Sequence, residues 1–259
     1  MKPSDQSRGT LIFSVQQGIG YLEINNPEAR NAVSINMMAY LPEIIVQIQE
    51  SEISILVVRG KEIPFFCAGG DLRDVRRELL KPERGGEMCN WMTQQLQILC
   101  ALPIYIIVVI QGAAIGGGAE LMTIGDWIIS ERSAKIGFVQ VSLGVTTGWG
   151  GAARLIERVG KTKALQILVS ARRYSAEQAL EIGLIDQVCD DANQALEDFL
   201  SKKKQLPQQS FRYAIAMMKG RISEEKAFVS TWGSMEHRSA LGVSTQKTER
   251  TRTFGDTPD

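Results

Sequence analysis

The stretch 102–126, LPIYIIVVIQGAAIGGGAELMTIGD, constrains the fold more than any other part of the chain. Residues 104–110 form an apolar run rich in β-branched side chains, the pattern of a buried strand. Glycines crowd the bend at 112–118, and Ala119-Glu120-Leu121-Met122 then supplies good helix formers. The bend therefore ends at a helix N-terminus, where unpaired N–H groups and the helix dipole favour developing negative charge. That is the geometry of an oxyanion hole, and Glu120 lies in the first turn beside it.

A second glycine-rich turn, Phe66-Cys67-Ala68-Gly69-Gly70-Asp71, follows a strand at 53–59 and precedes another helical stretch. Two such turns can aim two N–H groups at one carbonyl oxygen. Asp71 is expected to cap the helix that starts at Leu72. Upstream, LIFSV and YLEIN around Gly18-Ile19-Gly20 read as a hairpin. Ser34 is a cap for a helix whose apolar positions Met37, Met38, Leu41, Ile44, Ile45 and Ile48 recur at helical spacing. The segment 81–86, KPERGG, reads as a loop before a helix at 88–99. After Asp126 come strands at 127–131 and 134–143, then a third glycine-rich turn, 144–151, that holds Trp149. Helices dominate from Ala152, with Ser175 as a cap, a short strand at 185–189 and three further helices. Alternation of strand and helix indicates an α/β fold with right-handed crossovers.

Composition narrows the function by exclusion. Lys plus Arg and Asp plus Glu both number 29, so no net field draws the chain to nucleic acid or an anionic membrane. The N-terminal MKPSDQSRGT has no apolar h-region, and the run at 104–110 is far below the ~20 residues that span a bilayer. Four cysteines without CxxC spacing, and one histidine, support neither a zinc site nor a disulfide framework, which fits a cytoplasmic protein with reduced thiols. His237 is expected to be a structural histidine.

CAGGD at 67–71 together with QGAAIGGGAEL at 111–121 resembles the paired signature of the crotonase (enoyl-CoA hydratase/isomerase) superfamily. The resemblance implies a spiral of ββα units over 1–190, with a helical section at 191–259 that covers the active site and forms a homotrimer, or a homohexamer of two trimers. It implies an acyl-CoA substrate, as in fatty acid metabolism, with coenzyme A carried by that substrate and no separate cofactor or metal. Gly70 and Gly117 fall on the two oxyanion amides, with Ala68 and Gly116 beside them. Glu120 falls on the first catalytic carboxyl and Arg30 on the segment against which the nucleotide end of CoA packs.

The second catalytic carboxyl of hydratases falls on Gln140, within IGFVQVSLG. Water addition needs one group to activate water and one to deliver a proton, and an amide does neither. A reaction that makes its own enolate suits the remaining set: loss of CO2 from a malonyl-type thioester, with Glu120 supplying a proton from an apolar, pKa-raising setting. NNPEARNAVSINMM, LVVRG, CNWM and GVTTGWGGAARL resemble the ethylmalonyl-CoA decarboxylase branch of the family, which points to ethylmalonyl-CoA or methylmalonyl-CoA and a lyase. Trp149 is expected to wall the acyl pocket, and Arg154 to be a structural ion-pair donor. An enoyl-CoA hydratase or isomerase is the alternative, as is a non-catalytic relative that binds acyl-CoA or RNA.

Overall fold

The computed structural model of the chain describes residues 2–243. Strands β1 (Thr10–Gln16) and β2 (Ile19–Asn25) form the hairpin. Helix α1 (Ile35–Glu50) starts at Ser34, whose Oγ accepts from Met37 N at 3.2 Å, and all six of its expected apolar positions are buried. Strand β3 (Ile55–Gly60) leads to the short helix α2 (Leu72–Asp74), which continues into a π-helical turn, Val75–Leu79. Helix α3 is Pro82–Cys100. The segment 81–86 is therefore mostly helix: proline is preorganised for the first helical position, where its missing N–H costs nothing, and Glu83 favours the positive end of the dipole.

Strand β4 (Tyr105–Ile110), strand β5 (Ala113–Ile115) and helix α4 (Gly117–Met122) come next. Strands β6 (Trp127–Glu131) and β7 (Lys135–Gly137) follow, then helices α5 (Gly151–Val159) and α6 (Lys161–Ser170). The strand expected over 134–143 is shorter, because only three of its residues find partners in β5 and β8; residues 140–143 turn into a 3-10 helix. Strand β8 (Arg173–Ser175), helix α7 (Ala176–Glu181) and strand β9 (Gln187–Cys189) precede helix α8 (Ala192–Lys204). Ser175 caps α7 as expected, its Oγ accepting from Gln178 N.

The larger sheet has the order β1-β2-β3-β4-β6-β9 and is parallel except for the β1–β2 hairpin. The smaller has the order β5-β7-β8. One strand from each sheet and a helix make a repeating unit: β4, β5 and α4, then β6, β7 and α5 after the 3-10 turn. The unit before them runs β3, an isolated bridge at Cys67 and α2. This is an α/β fold of stacked ββα units. β4 lies between β3 and β6, and Ile106, Ile107, Val108 and Ile110 are fully enclosed, as the unbroken apolar run requires.

The chain divides after Gln205 into two compact units. α8 belongs to the first, where Phe199 stacks on Trp127 and Tyr105 with ring centroids 5.6 and 6.2 Å apart. The described part of the second unit holds helices α9 (Gln208–Met218), α10 (Glu224–Thr231) and α11 (Met235–Ala240), so among the described residues four helices follow β9 where three are expected. Within it Trp232 stacks on Phe228 at 5.0 Å and lies 4.7 Å from His237, whose Nδ1 accepts from Gly233 N.

A hydrogen bond from α3 mends a gap in α1. Pro42 sits inside α1 and brings no N–H to the carbonyl of Met38, one turn back. Trp91 of α3 supplies the donor instead, its indole N–H reaching Met38 O at 2.7 Å. Trp91→Phe keeps an aromatic ring but strands that buried carbonyl, so it should lower the unfolding free energy by about 1–3 kcal/mol in a denaturant titration.

Candidate active site

The two glycine turns are held together by main-chain pairing. Phe66 N donates to Gln111 O at 2.8 Å, Cys67 N to Ala113 O at 3.1 Å, and Ile115 N to Cys67 O at 3.0 Å. Side chains are excluded at the seam: a Cβ on Gly118 would lie 2.1 Å from Cys67 O, and one on Gly69 would lie 3.1 Å from Gly117 N. Gly69 also has φ +101°, a conformation few other residues adopt. Burial pushes the Cys67 thiol up to about 12 against weaker opposing backbone hydrogen bonds, so it is a packed, protonated neighbour rather than a nucleophile.

Val33 fixes the first turn. Val33 N donates to Gly69 O at 2.7 Å and Asp71 N to Val33 O at 2.9 Å, a parallel bridge that bonds through the residues flanking Gly70 and turns its own N–H to the other side. Gly117 is the first residue of α4, so its N–H has no acceptor within the helix. The Trp149 indole, itself buried, lies against both: a Cβ on Gly117 would be 2.7 Å from the ring, and one on Gly70 3.8 Å. Gly70 and Gly117 thus both face the Trp149 ring. Asp71 caps α2 as expected, accepting from Arg73 N at 2.9 Å. Burial pushes its carboxyl up, but hydrogen bonds from the Arg73 side chain and main chain and from Asn26 outweigh this and hold it below the usual carboxylate range.

Glu120 is 2% exposed, and its surroundings differ from the apolar ones expected. Oε1 accepts from Gln140 Nε2 at 2.8 Å and Gly148 N at 3.1 Å; Oε2 accepts from Trp149 N at 2.8 Å and Gly151 N at 3.1 Å. The loop 148–151 wraps the carboxylate so closely that a Cβ on Gly151 would sit 2.5 Å from Glu120 Cγ. Gln140, also buried, is left with an Oε1 that has no partner among the described residues. Arg154 is not the ion-pair donor expected. It donates to Thr123 Oγ1 at 3.0 Å and to the main-chain oxygens of Glu120 and Trp149 at 3.2 and 2.8 Å. Burial draws its guanidinium below the usual arginine range, while Cys100, Glu120 and Glu157 act weakly in the opposite direction.

Of the eight residues singled out by sequence, Gly70, Gly117, Glu120, Gln140 and Trp149 meet here. Gly116 precedes Gly117 with φ +58° and is tied by its N–H to Gly137 O at 2.8 Å. Ala68 is half-buried, and its N–H donates to the main-chain oxygen of Arg30 at 3.1 Å; the Arg30 residue itself is exposed. Sequence reasoning missed the donors of Gly148 and Gly151 and the clamp of Arg154. The glycine run 148–151 was the available signal. Among the described residues no group of three or more His, Cys, Asp or Glu could hold a metal ion, and no helix is long and apolar enough to cross a membrane.

Residues 14–253 match the enoyl-CoA hydratase/isomerase family, and the chain belongs to it. Among its relatives are the ethylmalonyl-CoA decarboxylases of Xenopus tropicalis, 32% identical over 249 residues (91% of this chain, 83% of that one), and Xenopus laevis, 33% identical over 243 (88% and 81%). The crystal structure of an enoyl-CoA hydratase from Bacillus anthracis superposes with a TM-score of 0.80 at 22% identity, covering 90% of this chain and 94% of that one. The fold is therefore that of the crotonases.

Gly118→Ala forces the Cys67 carbonyl to move and should lower stability by about 1–3 kcal/mol. Gly148→Ala, with none of the described residues within 4 Å of the added carbon, should stay within about 0.5 kcal/mol of wild type in the same denaturant titration.

Proposed function

We propose that this chain is an acyl-CoA lyase that removes CO2 from a malonyl-type thioester, with ethylmalonyl-CoA and methylmalonyl-CoA as candidate substrates. The observation that carries the reading is the Gln140 amide 2.8 Å from Glu120: one carboxyl stands where water addition needs two acid–base groups. The decarboxylase names of the Xenopus relatives support it.

In this reading the N–H groups of Gly70 and Gly117 receive the thioester oxygen, with Ala68 and Gly116 lining the same turns. The bond between the α-carbon and the carboxylate breaks, its electron pair passes into the thioester, and the oxyanion hole holds the resulting enolate. Glu120 returns one proton to the α-carbon. Trp149 walls the acyl group, and Arg30 meets the phosphate end of CoA. Coenzyme A arrives with the substrate, and the reaction as written needs no separate cofactor.

Wild type should release CO2 from methylmalonyl-CoA or ethylmalonyl-CoA, hydrate crotonyl-CoA poorly, and lose most turnover in Glu120→Gln. Mass spectrometry of the products decides between the readings: rapid hydration of crotonyl-CoA with no CO2 from either malonyl-type thioester would leave a hydratase.

We also propose that the chain assembles as a homotrimer or homohexamer through its second unit, where Phe228, Trp232 and Leu241 are 56%, 64% and 66% exposed. Light scattering at micromolar concentration should give three or six chain masses, and a strict monomer would end that proposal.

A further inference from the structure

We propose that Gln140 is a turning amide that follows the proton on Glu120 and, when turned, binds the carboxylate that the substrate loses. The inference rests on the decarboxylase reading and says how that site selects a carboxylate-bearing thioester. Among the described residues all four contacts of the Glu120 carboxylate are N–H donors, and Gln140 Oε1, enclosed on a residue only 7% exposed, has no donor of its own.

Three of the four donors are main-chain groups of Gly148, Trp149 and Gly151 and cannot reorient without moving the loop. The fourth can. The two ends of a carboxamide have nearly the same size, so a half-turn about the last side-chain torsion exchanges acceptor for donor within one volume. When Glu120 carries a proton on Oε1, the N–H of Gln140 opposes it, whereas the turned amide accepts it through Oε1. The NH2 group then occupies the place where the orphaned oxygen now lies. Two N–H donors at an enclosed position fit an anionic oxygen, and the carboxylate of a malonyl-type thioester supplies one.

The cycle balances. Substrate binds to protonated Glu120 and turned Gln140; the carbon–carboxylate bond breaks, CO2 departs and its bonding electrons form the enolate. The Glu120 proton passes to the α-carbon, restoring the thioester carbonyl. Glu120 is left as a carboxylate and Gln140 turns back, which is the arrangement in the structure, until a proton from solvent resets the pair.

The test uses the full chain as wild type, Gln140→Met and Gln140→Glu. It reads kcat and KM for CO2 release from methylmalonyl-CoA beside inhibition by butyryl-CoA, which lacks the carboxylate. Both variants keep the side-chain length but lose the NH2 group, and thermal unfolding checks that each is folded. The expected result is a fall in kcat/KM for methylmalonyl-CoA of about tenfold or more, with KM raised, while the butyryl-CoA inhibition constant stays within about twofold. Unchanged kcat and KM, or equal weakening of both thioesters, would overturn the role of Gln140 while leaving the decarboxylase standing. A wild type that releases no CO2 from methylmalonyl-CoA or ethylmalonyl-CoA overturns the reading itself, and this inference with it.

Discussion

The site depends on three main-chain hydrogen bonds that place residues 66 and 67 alongside 111–115. They bring together two turns separated by more than forty positions in the chain, and the separation they set leaves no room for a side chain at Gly118. Everything nearer the chemistry follows from that seam. Gly70 and Gly117 both lie against the Trp149 ring, and their turns are registered against each other by these bonds.

A second layer of constraint is the collar around Glu120. A buried carboxylate is costly unless its oxygens are met by donors, and here each oxygen has two. Arg154 completes the arrangement from behind by holding the main-chain oxygens of Glu120 and Trp149, the residue that carries the charge and one that surrounds it. The collar and α4 are therefore fastened to each other rather than merely adjacent.

How much of this was legible in the sequence varied with the kind of group involved. Side-chain signals read well: the Ser34 cap, the six buried positions of α1, the central strand and the paired glycine motifs all stand where expected. Residues 81–86 read as a loop because Gly85 and Gly86 mask the helix-start signals of Pro82 and Glu83. The ββα repeat left no fixed period because strands such as β5 and β7 have only three residues each. The partners of Glu120 were invisible for a deeper reason: three of its four donors are main-chain N–H groups, which nearly every residue possesses and no residue type advertises.

The defect in α1 has a wider meaning than one hydrogen bond. A proline inside a helix leaves a carbonyl unanswered at a single height along the axis, and the Trp91 indole can answer only there. Sliding α3 by one turn, about 5.4 Å, would take the donor past it. What looks like a flaw in one helix thus serves as an address for another. Pro42 and Trp91 form one unit of information, so a descendant that replaced the proline would restore α1's own ladder and release position 91 to vary.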